Sequence, residues 1–139
     1  MKYFFFIFFN LYVINAYTLD LVPLKKYIEQ NDINNNESKS YEFYARCSAL
    51  FAYTSSLMKS PKMSEMKKNF SMLSNIYYLK MSKLSISTKK NDINKEKLKL
   101  YLNYYNELGN KNFISVGEYL TDLHFNDTKV CSDFSKKEF

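Results

Sequence analysis

Between Met63 and Leu84 the apolar residues Met63, Met66, Phe70, Leu73, Tyr77, Met81 and Leu84 recur at steps of three and four. That spacing gathers them on one face of a 3.6-residue helix, whereas a strand, whose side chains alternate, would scatter them over two faces. Lys62, Lys67, Lys68 and Lys80 populate the other faces. The rest of the chain offers little to interrupt such helices. With 2 glycines and 2 prolines in 139 residues, the tight turns that a many-stranded sheet needs are scarce. An all-α fold is the expectation.

The same periodicity predicts the neighbouring helices. In YARCSALFAYTSSLM, the stripe Tyr44, Cys47, Phe51, Thr54, Met58 is widened by Phe43, Leu50 and Leu57. Ser38 or Ser40 is placed to cap that helix, and Pro61 suits the first turn of the next. Asn91 or Asp92 can cap a further helix through Leu98, Tyr101, Tyr105 and Leu108, with Gly109 expected to stop it. Val116, Leu120 and Leu123 form a shorter stripe, and Val130, Cys131 and Phe134 a last turn or two. Leu21 to Ile28 is a short amphipathic stretch, and the low-complexity run from Asn31 to Ser40 is expected to be a flexible polar loop. The sum is a small bundle of four to five helices with no fixed repeat.

The first segment has a different character. MKYFFFIFFNLYVINA sets Lys2 before an apolar run from Tyr3 to Ile14 and reaches the small residue Ala16, the layout of a secretory signal peptide. The run is broken by Asn10 and falls short of the ~20 apolar residues that cross a bilayer. Residues 1–16 are therefore expected to be cleaved, leaving 17–139 as a single helical domain. The competing expectation is an uncleaved membrane anchor from Tyr3 to Leu19. An exported chain matures in an oxidising compartment, so Cys47 and Cys131 are expected to pair. A bridge over so long a loop contributes on the order of 4–5 kcal/mol in the chain-entropy account. A reactive thiol or half of a metal site is the weaker reading, because neither cysteine has a partner near it in sequence.

The net charge of +6 invites a nucleic-acid reading. The lysines are scattered, however, and Arg46 is the one side chain able to make a forked contact to phosphate or guanine, so a solvated lysine surface is expected and no nucleic-acid partner. Met63 and Met66 form an M-x-x-M pair of the kind that favours Cu(I), but they fall on the same stripe as Phe70 and Leu73, where methionine fills core gaps. The core reading is the expectation and a copper site at Met63 and Met66 the alternative. Tyr77–Tyr78 and Tyr104–Tyr105 each put one ring inward and one outward, a mild hint of a binding surface. Phosphate loops, nucleophile elbows and histidine metal motifs are missing. Asp122 and His124 point to different faces of a helix, and Glu118 and Asp122 read as a solvated face. The Asn-x-Ser/Thr triplets at Asn36, Asn69 and Asn126 arise readily by chance in so asparagine-rich a chain.

These observations lead to an expectation of a secreted or periplasmic, non-catalytic helical protein that binds another protein or an envelope component, without a cofactor, and touches membrane only through its N-terminal segment. A methionine-based copper-handling protein and a membrane-tethered module are the alternatives.

Overall fold

The computed structural model describes residues 19–87 and 91–138. The expected signal peptide at 1–16 and the alternative anchor up to Leu19 lie outside those residues but for Leu19 itself, as do residues 88–90 of the expected polar link. Five α-helices make up the fold: α1 Leu24–Gln30, α2 Glu37–Leu57, α3 Ser64–Ser87, α4 Asn91–Val116 and α5 Asp122–Glu138. A single 3-10 turn at Pro61–Met63 leads into α3, and no strand occurs among the described residues. The all-α expectation holds. None of these helices is long and apolar enough to cross a membrane.

The arrangement centres on α2. Every residue from Ala45 to Phe51 is buried, so this helix is covered on all sides by α3, α4 and α5 rather than on one stripe. Phe43, Leu50 and Phe51 have no exposed surface, and each contributes roughly 1.5–3 kcal/mol by leaving water. Small polar residues bring α2 and α3 close together. The Ser48 hydroxyl donates to the Ser74 carbonyl at 2.9 Å and the Ser74 hydroxyl donates back to the Ser48 carbonyl at 2.9 Å. Further along the seam, the Ser55 and Ser71 hydroxyls meet at 2.7 Å. Above this seam an aromatic cluster fills the interior, with Phe51 stacked on Tyr77 at 5.9 Å and Phe43 packed on Phe134 at 4.9 Å.

Several boundaries depart from the sequence expectation, each for a local reason. The cap of α2 is Asn36, whose side chain accepts from the Lys39 N–H at 3.1 Å, and not Ser38 or Ser40. Ser40 is instead buried inside the helix, where its hydroxyl donates to the Ile33 and Asn36 carbonyls. The polar stretch therefore ends at Asn36, and it is tied down: Ile33 is buried and Asp32 accepts from the Asn35 side chain at 2.7 Å. Helix α4 runs straight through Gly109 and ends at Val116. Position 109 needs a glycine because a Cβ there would collide with the Tyr53 hydroxyl and come within 2.6 Å of the Tyr119 carbonyl. The true stop is Gly117, at φ 80°, whose N–H bonds the Phe113 carbonyl at 2.8 Å. The expected short helix is thus divided, with Val116 ending α4, Leu120 in the link and Leu123 in the first turn of α5, and the expected last turn or two belongs to the full length of α5.

Candidate functional site

The disulfide forms as expected. Cys47 and Cys131 are joined with their Cα atoms 5.7 Å apart, linking α2 to α5. Both are fully buried, so the bond is shielded from reductant and thiol exchange. Tyr77 donates to the Cys131 carbonyl at 2.6 Å, adding α3 to the same junction.

Beside it lies a charged cluster inside the protein. The lone arginine, Arg46 of α2, is 2% exposed and its Nη2 lies 3.2 Å from Asp127 Oδ2 of α5. The Tyr105 hydroxyl of α4 donates to the same oxygen at 3.0 Å, and the Leu24 N–H at the start of α1 donates to Oδ1 at 2.7 Å. One carboxylate therefore ties four helices together. Burial pushes the Asp127 carboxyl up from its ordinary value, and the three donors, led by the Leu24 N–H, pull it back. The Arg46 guanidinium also sits 5.7 Å from the centre of the Tyr27 ring, while its Nε has no hydrogen-bond partner among the described residues.

His124 extends this cluster to the start of α5. Thr121 occupies the cap position before Asp122, and three residues later His124 turns its Nδ1 back to accept from the Thr121 N–H at 3.0 Å and the Thr121 hydroxyl at 2.8 Å. The Thr121 hydroxyl oxygen lies 3.4 Å from the His124 N–H. This is a capping box with histidine in the place usually held by glutamate or glutamine. With Nδ1 accepting, Nε2 carries the proton and donates to the Tyr105 carbonyl at 3.1 Å. The ring stacks on Tyr53 at 5.1 Å and tilts against Tyr105 at 5.6 Å. Burial holds the imidazole below its ordinary pKa, opposed by the Tyr105 carbonyl. Both ring nitrogens and both Asp127 oxygens are thus occupied from within. The interior charges join the helices through these bonds.

The surface is different. Around the link between α4 and α5, Ile114 is 84% exposed, Val116 64% and Phe125 58%. Phe113 and Tyr119 stack at 4.2 Å with their planes 7° apart, and both are also exposed. The link that presents them is pinned from beneath. Asn112 donates to the Glu118 carbonyl at 2.8 Å and the Leu120 carbonyl at 3.3 Å, and Tyr53 donates to the Tyr119 carbonyl at 3.1 Å. An apolar corner is therefore held out on a braced support.

Other candidate residues fall as follows. Met63 and Met66 are 43% and 51% exposed, so the core reading fails for both, whereas Tyr77 and Met81 further along the stripe are buried. The reason is geometric: residues 61–69 are all exposed among the described residues, and the inward stripe of α3 begins at Phe70. Glu118 lies in the link, not one helical turn before Asp122. Among the described residues, no group of three or more His, Cys, Asp or Glu side chains is placed to hold a metal. Asn36 is occupied as a cap, while Asn69 and Asn126 are exposed on α3 and α5. The Arg46–Asp127 pair escaped the sequence reading. Its signal was a single carboxylate on the inward stripe of α5, one turn from Leu123 on one side and from Cys131 on the other. No family model matches the chain, and comparison with curated proteins and with solved structures finds no match.

Proposed function

We propose that this chain is an exported, non-catalytic binding protein whose α4–α5 corner docks a protein partner, such as a component of the cell envelope. The observation that carries this reading is the corner itself: Ile114, Val116 and Phe125 stand exposed around the Phe113–Tyr119 stack, on a link braced by Asn112 and Tyr53. Exposed aliphatic and aromatic side chains on a rigid support are what interface centres are made of, because little conformational entropy is lost when they are covered. The buried titratable groups support a non-catalytic role, since each perturbed group near Arg46 is already committed to an internal bond. Export rests on the N-terminal segment and on a disulfide, which persists in oxidising compartments.

The test is cross-linked capture from the protein's own envelope fraction, comparing the natural chain with an Ile114→Glu, Phe125→Glu variant. The same partner should be recovered by the first and lost by the second, with helicity and disulfide unchanged. Equal recovery by both would contradict the reading.

A second reading has one observation in its favour. Exposed thioethers at Met63 and Met66, one turn apart, are accessible to Cu(I) as buried ones would not be.

A further inference from the structure

A groove of about 620 Å³ runs between α1 and α5, lined from Asn126 to Lys137 on α5 and by Pro23, Lys25 and Ile28. Its volume falls within the roughly 300–1,000 Å³ that small-molecule sites occupy. The floor is apolar, made by Ile28 of α1 and by Val130 and Phe134 of α5, which stand one helical turn apart. All three are half-buried. The rim is basic: Lys25, Lys129 and Lys137 line it and are exposed. The acid in the lining, Asp133, is already answered by Lys136 at 3.5 Å. The three lysines make no ion pair among the described residues. The groove therefore carries three lysines against one aspartate, which is paired with Lys136, around an apolar trough more buried than its rim.

We propose that this groove binds a single-chain anionic amphiphile, with a carboxylate or similar headgroup at the lysine rim and an acyl chain along Ile28, Val130 and Phe134. Charge complementarity selects the headgroup, and the recession of the floor selects the source. A membrane-surface site needs apolar side chains that project beyond the lysines to enter the acyl region. Here the apolar residues sit beneath them, so they receive a chain and do not insert into a bilayer. Lys129 and Lys137 are eight residues apart on one helix, about 12 Å by its rise, with Asp133 midway in the same row, so the chain would lie beside that row over Val130 and Phe134. The site is separate from the α4–α5 corner and stands or falls without it.

The test is titration of the oxidised protein with dodecanoate below its micelle threshold, followed by calorimetry. Dodecanol, the uncharged analogue, and phosphatidylglycerol vesicles serve as comparators. Saturable binding of one dodecanoate per chain is expected, with weaker binding of dodecanol and no co-sedimentation with vesicles. Lys129→Glu with Lys137→Glu should weaken dodecanoate by at least about tenfold, since charge-assisted contacts of this kind are worth that much. Lys25→Glu, on the opposite wall, should weaken it independently. All three lysines are exposed, so the variants should keep the thermal midpoint of the parent. Absence of saturable dodecanoate binding, binding unchanged by the lysine reversals, equal binding of dodecanol, or vesicle binding alone would each overturn the proposal.

Discussion

Arg46 in α2 and Asp127 in α5, 81 positions apart in sequence, meet at 3.2 Å with only 2% and 1% of their side chains exposed. Two charges taken out of water return little net stability, yet removing one leaves the other stranded. Asp127→Ala should cost on the order of 3–5 kcal/mol in urea unfolding, because it also orphans the Leu24 N–H and the Tyr105 hydroxyl. Arg46→Met should cost less. It leaves Asp127 with two donors and free to take up a proton, so its stability should decline as the pH rises through the raised carboxyl pKa. Equal losses in the two variants would mean that Asp127 does not join the helices as described.

Tyr53 and Gly109 make a second tight junction, between α2 and α4. Gly109→Ala should lose about 1–3 kcal/mol by overpacking, although alanine is the better helix former. Tyr53→Phe removes the obstructing hydroxyl and with it the bond to the Tyr119 carbonyl. The double variant should therefore lose less than the sum of the two single losses. Strict additivity would show that the two side chains do not compete for the same space.

His124 gives the fold a pH dependence with a definite sign. Its folded pKa is depressed by burial, so the unfolded chain binds the proton more readily and stability rises with pH through this range. The contribution is complete above the unfolded value of about 6.5 and is lost as pH falls through the folded value. His124→Gln keeps an acceptor at the capping-box position without titrating there. The stability difference between parent and His124→Gln should be constant above about pH 6.5 and shift against the parent below it. A pH-independent difference between them would place the titration elsewhere.

Met63 and Met66 provide a test of the exposed start of α3. Replacing both with leucine should change stability by under ~1.5 kcal/mol per site, as a volume-conserving swap does. If the second functional reading is right, Cu(I) affinity falls with that change while stability holds. If the methionines have no ligand role, both stay the same.

The sequence was most informative where a single helix carried its own signal. The periodicity of Phe70, Leu73, Tyr77 and Met81 located α3, and Cys47 on an apolar stripe anticipated both its burial and its partner. What could not be read depended on contacts between distant segments. Gly109 looks like a helix stop in isolation, and only the Tyr53 hydroxyl, 56 positions away, explains why a glycine stands inside the helix. Asp127 looks like a misplaced charge until Arg46 is brought beside it. Met63 and Met66 obey the same period as Phe70, but periodicity says which face a residue shares and not whether anything covers that face. The exposed corner at Ile114 is likewise illegible, because the stripe of Val116, Leu120 and Leu123 reads as a helix of its own whereas Val116 ends α4.

The buried bridge joins the second helix to the last, and export is proposed to supply the oxidising compartment in which it forms. The most direct test is an intact mass and a non-reducing peptide map of the protein recovered outside the cytoplasm. A mature chain beginning near Tyr17, with Cys47 and Cys131 in one linked peptide pair and no thiol reacting before denaturation, is the predicted result. A chain that keeps Met1, or one whose two cysteines both react with a thiol probe in the native state, would contradict it.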